Sequence, residues 1–238
     1  MDFAELLSDS WGYTRDGVIN NTTRWMKLIF AVLCLGLPFN GYILRVYRGI
    51  TPAPEIDDWG TLFLDGLKVF AIAFVYIIPL ILVMLLLFCI MLIASPGGNI
   101  SNPSMHSGPF ESLFTLFIYF MQFVVAAILP VACIRFARTG DFFEAFNFNA
   151  LFATIGKIGW INYIVAVVFI GIIVSIPLTI VIFTLMFVLI FALILFNNNP
   201  FMLLLIIAIL AILFLIIIPL ISIFEARYMT RVYETSGE

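Results

Sequence analysis

The chain has 238 residues, of which 64% are hydrophobic and only 11% are charged, with a formal net charge of −3. A soluble domain carries about 25% charged residues, so this composition excludes an ordinary soluble globular protein. Several apolar runs reach the roughly 20 residues that a membrane span needs, and they lack the alternation of a β-barrel strand. We therefore predict an all-α integral membrane protein.

Residues 1–24 are predicted to form an N-terminal interfacial segment. Phe3, Leu7 and Trp11 recur at helical spacing between acidic residues, which predicts a short amphipathic helix over residues 2–12. Its acidic polar face disfavours docking on anionic lipid, so we expect this helix to pack against the membrane bundle.

Residues 25–94 form a first repeat-like unit that begins with an ambiguous span over residues 25–46. The uninterrupted apolar part, Leu28–Leu44, is about 25 Å long as a helix, which is marginal for a hydrocarbon core of about 30 Å. Gly36 and Pro38 also interrupt it. A kinked span and a re-entrant element are both open, and we favour the span.

The turn after Arg48 contains two prolines and is followed by the pair Asp57 and Asp58. Either carboxylate is placed to cap the helix that begins at Trp59. From there the apolar spacing predicts an interfacial helix that leads into a second span, with a kink at Pro79.

Residues 110–196 form a second repeat-like unit. A span over 110–134 is followed by a second interfacial helix over 141–157 and then by an apolar run over 158–196. That run is interrupted only by Pro177, and it is either one long helix or two half-helices.

A last span and a basic tail occupy residues 201–238. The whole chain, 1–238, is then a single membrane domain of about five transmembrane helices with amphipathic helices on one face. The predicted arrangement is a helical bundle.

Basic residues are distributed unevenly between the two predicted sides. The loops 95–109 and 197–200 contain no Lys or Arg, whereas the other side collects eight: Arg45, Arg48, Lys68, Arg135, Arg138, Lys157, Arg227 and Arg231. The positive-inside rule makes the side with the eight cytoplasmic. Arg15, Arg24 and Lys27 break this pattern if residues 25–46 cross the membrane.

The two units share a pattern that suggests a parallel internal repeat. Arg45 and Arg48 recur as Arg135 and Arg138, and the aromatic helix that ends at Lys68 recurs as one that ends at Lys157. The alternative is that helices entering the cytosol attract arginine, and interfacial helices attract aromatics and lysine, without any duplication.

Six polar residues near the predicted cytoplasmic boundary form the candidate binding site for lipid headgroups or a partner: Arg45, Arg48, Arg135, Arg138, Asp65 and Lys68. The four arginines, here called the basic collar, suit phosphate groups or an acidic partner. Asp65 and Lys68 share one helix face and suit an ion or a headgroup. The competing interpretation is that the arginines only set orientation and that the other two form an interfacial ion pair.

Little in the sequence suggests catalysis. The chain has one histidine, His106, and three separated cysteines, so we expect no metal site, no cofactor and no catalytic residues. No acidic or basic residue lies near the middle of a predicted span, which disfavours a proton-coupled carrier. Nucleic acid is not an expected partner.

The segment GYILRVYRGITPAPEIDDWGTLFLDGLK, residues 41–68, resembles an uncharacterised prokaryotic family of multi-span membrane proteins, frequent in archaea, known as domain of unknown function 4013. The similarity continues through PVACIRFARTGDFFEAFNF and the final EARYMTRVY. This chain departs from the family in having no clear loop within 158–196. The resemblance implies a membrane location and a helical fold, and it implies no activity.

Two functions are compatible with these features. The first is a non-catalytic scaffold or accessory subunit of the cell membrane that binds a membrane protein partner, a second copy of itself or lipid headgroups at its cytoplasmic face. The alternative is a transporter or lipid-handling protein with a cavity between kinked helices.

Overall fold

The computed structural model describes residues 1–94, 109–195 and 199–237, which form helices and short connections without a strand. In chain order the α-helices are α1 (Phe3–Thr14), α2 (Thr22–Leu33), α3 (Leu37–Tyr47), α4 (Trp59–Ala94), α5 (Pro109–Thr139), α6 (Phe148–Ile158), α7 (Trp160–Leu195) and α8 (Pro200–Glu234). A π-helix, Arg15–Ile19, follows α1, and a 3-10 helix, Phe142–Phe146, precedes α6. The predicted loop around His106 and residues 197 and 198 lie outside the described residues.

Four described helices contain stretches long and apolar enough to cross a membrane: Trp59–Leu86, Ser112–Thr139, Trp160–Leu193 and Leu204–Glu234. The prediction of an all-α, multi-pass membrane protein is therefore confirmed. The expected count of five is not confirmed, because the described residues supply four such helices.

The missing fifth span is the ambiguous segment 25–46, which forms two short helices instead of one. Helix α2 has 12 residues and α3 has 11, so each is only about 18 Å long or less. Between them Leu35 and Gly36 have φ angles of 58° and 70°, in the left-handed region that ends a helix. Pro38 then lies in the first turn of α3, where its missing N–H leaves no helical hydrogen bond unmade.

Both ends of the α2–α3 hairpin lie at the same end of the bundle. Arg24, at the start of α2, forms an ion pair with Glu55, and the Lys27 ammonium donates to the Ile56 carbonyl at 3.2 Å. Arg45, near the end of α3, donates to Asp57 at 2.6 Å. Since residues 55–57 contact both helices, the hairpin enters and leaves at one side, as the re-entrant alternative requires.

The long apolar run after Gly159 forms a single helix. Helix α7 continues from Trp160 to Leu195 through Pro177, which decides between the one-helix and two-helix alternatives. Helices α4, α5 and α8 also contain one internal proline each. Each internal proline leaves a backbone carbonyl without its helical hydrogen bond. Neighbouring segments in a membrane bundle can satisfy such groups, so the prolines do not end the helices.

The predicted short helices are present with shifted boundaries. Helix α1 is capped by the Asp2 carboxylate, which accepts from the Ala4 backbone N–H at 2.9 Å. The second interfacial helix begins as the 3-10 turn and continues as α6, whose first turn is capped by Asn147. The first interfacial helix is not separate, because it forms the opening turns of α4.

The predicted carboxylate cap of α4 is wrong. The side chain of Asp57 instead accepts from Arg45 in a charge-assisted bond. Asp58 contributes its backbone carbonyl, which accepts from the Thr61 hydroxyl at 2.9 Å. Neither carboxylate accepts a hydrogen bond from the opening turn of α4 within the part of the chain that the structure describes.

Helices α3 and α4 cross at two glycines. A Cβ atom added to Gly41 would overlap the Leu62 backbone, and one added to Gly66 would overlap the Leu37 carbonyl. Only residues without a side chain permit this backbone approach, as at small-residue contacts between membrane helices. The crossing holds the α2–α3 hairpin against α4.

The buried core lies in one half of the bundle, next to the charged residues. Buried side chains include Tyr76 on α4, Ile134 on α5, Tyr163 on α7 and Ile223 on α8. Within the described residues of the other half, these four helices leave almost all of their apolar side chains at least partly exposed, and Ala192 is an exception. The apolar surface exposed there is available to lipid or to another protein.

Candidate functional site

The first arginine pair of the basic collar is bonded within the chain. Arg45 donates to the Asp57 carboxylate at 2.6 Å and to the Glu55 carbonyl at 3.0 Å. Arg48 donates to Asp65 at 2.9 Å, and the Lys68 ammonium lies 3.6 Å from the other Asp65 oxygen. The structure thus brings together Arg48, Asp65 and Lys68 of the predicted site.

The second arginine pair is bonded in a similar way. Arg135 donates to the Glu144 carboxylate at 2.6 Å, and Arg138 donates to Glu234 at 2.8 Å. The Arg138 guanidinium also lies over the Tyr233 ring, 5.2 Å from its centroid. These contacts tie the end of α5 to the 3-10 turn and to the end of α8.

The two arginine pairs meet at Gly49. A Cβ atom added to this glycine would lie 3.3 Å from an Arg138 nitrogen and 3.0 Å from a Glu234 oxygen. Because Gly49 directly follows Arg48, the collar occupies one end of the bundle, as the sequence suggested.

Each collar arginine has a carboxylate partner, so most of the collar's positive charge is compensated. Hydrogen bonding from Arg45 lowers the pKa of Asp57, and bonds from Asn147 and then Arg135 lower the pKa of Glu144. Both carboxylates are therefore ionised at neutral pH. In this geometry the arginines form ion pairs that connect helices and turns. Their binding to lipid or to a partner stays a prediction.

A cavity of about 370 Å³ lies beside the collar, where α1, the π-helix, α2 and α8 meet the turn after α3. Its lining residues are Asp9, Gly12, Tyr13, Asp16, Gly17, Arg24, Thr51, Pro52, Ala53 and Arg227. Two arginines, two aspartates and a tyrosine supply its polar groups, and the remaining surface is mainly small or apolar.

Arg24 is the most deeply placed cation described on the α1–α3 side of this cavity. Its side chain is only 9% exposed, donates to the Gly17 carbonyl at 3.0 Å and forms the ion pair with Glu55. Its Nε–H has no hydrogen-bond partner among the described residues, although the atom is buried. Burial of an unpaired donor is costly, so this atom lowers the stability of the packing around Arg24.

Arg227 forms the opposite wall, with a side chain that is 6% exposed. Its Nε donates to Asp9 at 2.8 Å, and its guanidinium lies 4.8 Å from the centroid of the Tyr13 ring. Burial raises the pKa of Tyr13 to about 12, although the positive charges of Arg227 and Arg24 oppose this shift. The Tyr13 hydroxyl is therefore neutral, and it donates to the Ile50 carbonyl at 3.1 Å.

This cavity was not predicted from the sequence. Asp9 and Arg227 are 218 residues apart, and no local motif joins them. One signal was present: Arg24 and Lys27 contradicted the orientation pattern if residues 25–46 spanned the membrane. Arg24 bonds to Glu55 and Lys27 bonds to Ile56, so the start of α2 lies on the same side as the turn after α3. This position removes the contradiction.

The described residues contain no group of three or more His, Cys, Asp or Glu side chains arranged to hold a metal ion. Cys34 and Cys133 are free thiols. The polar side chains described at this end of the bundle form ion pairs and hydrogen bonds with one another.

Comparison with known proteins assigns the family. No curated protein and no solved structure matches the chain. Residues 26–186, more than half of the chain, match the family described as "Protein of unknown function (DUF4013)". The match includes the segment 41–68 and reaches from α2 into α7. The chain therefore belongs to the DUF4013 family of proteins of unknown function.

Proposed function

We propose that the protein is a non-catalytic scaffold or accessory subunit of the cell membrane, which binds lipid headgroups or a partner at its polar, cytoplasmic end. The observation that carries this proposal is the position of the basic residues. All eleven lie in segments at the end of the bundle where α4 and α7 begin and α5 and α8 end.

The four-span arrangement supports this orientation better than five spans do. Because the α2–α3 hairpin returns to its starting side, Arg15, Arg24 and Lys27 join the other eight basic residues. A distribution of eleven against none favours a cytoplasmic location for this end.

The non-catalytic part of the proposal rests on the sequence. A single histidine and separated cysteines offer no nucleophile with an adjacent base. The polar groups that the structure brings together are ion pairs, which suit binding and assembly better than proton transfer.

The test is to extract the full-length protein gently from its native membrane and to record native mass spectra. A retained partner protein or retained lipid in a fixed ratio is the expected result. Protein that carries neither, in several mild detergents, would contradict the binding role.

The alternative, a transporter or lipid-handling protein, is supported by the other half of the bundle. There the four long helices bury almost no apolar side chains within the described residues, so their apolar surface is exposed to contact with acyl chains. Retained lipid without a protein partner, together with lipid exchange between vesicles that contain the protein, would favour this function. Inactive vesicles would argue against it.

A further inference from the structure

Glu225 is an unpaired carboxylate on α8, within the membrane-type stretch Leu204–Glu234. Among the residues that the structure describes, it forms neither an ion pair nor a side-chain hydrogen bond. The other charged side chains described in the four membrane-type stretches are all in ion pairs: Asp65, Lys68, Arg135, Arg138, Arg227, Arg231 and Glu234. A charge in a membrane span is costly, so an unpaired one indicates a functional site.

Glu225 lies on the side of α8 that faces the other long helices. Tyr228, Met229 and Val232 follow it by three, four and seven residues, so they share its helix face. All three are buried in the core that α8 forms with α4, α5 and α7. The carboxylate is therefore on the interior side of the bundle and not on its outer surface.

Glu225 is nevertheless exposed, because the buried part of this face ends at Tyr228. Ser222 and Ile221, one turn before Glu225, are only half-buried, and so is Ile218 on the next turn. The carboxylate is accessible at the edge of the core, where it has apolar neighbours on its own helix face.

A second polar group lies near Glu225. Burial raises the pKa of Tyr47 on α3, and the nearby Cys133 and Glu225 add to this shift. The Tyr47 hydroxyl is therefore neutral, and it forms no hydrogen bond within the described part of the chain. The site thus combines one carboxylate, one phenol and apolar side chains.

This combination suits an organic cation better than a metal ion. Calcium and magnesium require about six or more oxygen ligands, whereas the side chains described around Glu225 offer one carboxylate and the hydroxyls of Tyr47 and Ser222. One carboxylate is enough to accept a charge-assisted bond from an ammonium group. An aromatic ring and isoleucine side chains suit the apolar part of such a ligand.

We propose that Glu225 binds an organic ammonium ion that carries an apolar group, on the interior side of α8. This site goes beyond the proposed function, because it is separate from the ion-paired basic collar and needs neither a lipid headgroup nor a protein partner.

The experiment is isothermal titration calorimetry on the full-length protein in nanodiscs of neutral lipid, with empty nanodiscs as the blank. The probe is 2-phenylethylammonium. Its matched controls are 2-phenylethanol, which is neutral, and 3-phenylpropanoate, which is anionic, and sodium chloride represents inorganic cations. We expect saturable binding of the ammonium ion, about tenfold or more tighter than binding of either organic control, because only the ammonium ion makes a charge-assisted bond.

Two substitutions test the carboxylate itself. Glu225→Gln keeps the shape of the side chain but removes its charge, and it is expected to weaken ammonium binding about tenfold or more. Glu225→Asp keeps the charge and should restore a large part of the binding. Glu5→Gln, at an exposed glutamate on α1, is the matched control and should bind as the natural chain does. Size-exclusion chromatography establishes that each variant is folded.

The outcomes separate this inference from the proposed function. Absence of ammonium binding by the natural chain, or equal binding by folded Glu225→Gln, overturns the inference. Sodium ions that displace the probe at equal concentration overturn the choice of an organic ligand. A native-membrane protein partner that only Glu225→Gln loses, without any ammonium binding, assigns the carboxylate to a protein interface instead. The proposed function fails on different grounds, namely if native membranes yield neither a partner nor a lipid.

Discussion

The segments 37–94 and 110–195 carry the same sequence pattern but adopt different structures. In both, the first arginine of the pair bonds to a carboxylate in the following turn, Arg45 to Asp57 and Arg135 to Glu144. The helix before the turn is α3, with 11 residues, in one segment and α5, with 31 residues, in the other. The arginine and the carboxylate in the following turn thus mark the C-terminal end of the helix in both segments. They do not determine the length of that helix.

The segments also differ after the turn. Helix α4 continues without interruption from Trp59, whereas α6 ends at Ile158 and is separated from α7 by Gly159, which has a φ of 94°. The glycines that let α3 and α4 touch, Gly41 and Gly66, correspond to Val131 and Ile155 in the second segment. An internal duplication stays a prediction, and the close helix crossing belongs to the first segment.

The largest expected effect concerns whether residues 25–46 cross the membrane as the span within α5 does. In a chain with its native cysteines changed to serine, Ser8→Cys and Thr139→Cys are expected to react with an impermeant maleimide from the same side. Ser104→Cys, between α4 and α5, should react from the opposite side. Labelling of Ser8→Cys together with Ser104→Cys would restore the five-span arrangement and remove the structural difference between the segments.

The glycine crossing predicts the next largest effect. Gly66→Ala places a methyl group on the Leu37 carbonyl, and we expect a loss of about 3 kcal/mol or more, since backbone must move. Thermal denaturation followed by size-exclusion chromatography measures it. Gly60→Ala on the same helix is the control, because its added Cβ meets only an Asp58 oxygen at 3.9 Å. Equal stability of the two variants would show that α3 and α4 do not touch.

The two turn ion pairs should differ in coupling strength. The side chains of Arg135 and Glu144 are 19% and 27% exposed, whereas Asp57, the partner of Arg45, is 72% exposed. Double-mutant cycles with Arg→Gln and the corresponding acid→amide changes are therefore expected to give the larger coupling for Arg135–Glu144. The reverse order would mean that exposure does not decide the difference.

A smaller effect is expected from acid. Asp57 and Glu144 have lowered pKa values when folded, so their contribution to stability is complete above their ordinary values of 3.8 and 4.5 and is lost as the pH falls below them. Unfolding midpoints between pH 7 and pH 3 should fall at the acidic end. Asp57→Asn and Glu144→Gln together should flatten that decline, and an unchanged slope would assign it to other carboxylates.

Much of the architecture could be predicted from residue types and their spacing. Apolar length identifies the four long helices, because a bilayer core demands about 20 apolar residues. Helical periodicity identifies α1, and the arginine pairs identify the ends of α3 and α5. The basic collar at one end of the bundle follows from the same topogenic rule.

By itself, then, the sequence determined the membrane class, the helix type and the charged end of the molecule, since these depend on local composition and on the solvent that each segment meets. Tertiary structure alone decided that residues 25–46 turn back, because packing of Gly41 against α4 and the bonds of Arg24 and Arg45 to residues 55–57 stabilise the hairpin. It also decided the cavity, where Asp9 and Arg227 meet across 218 residues of chain. Such contacts depend on how distant helices pack, and no local pattern encodes them.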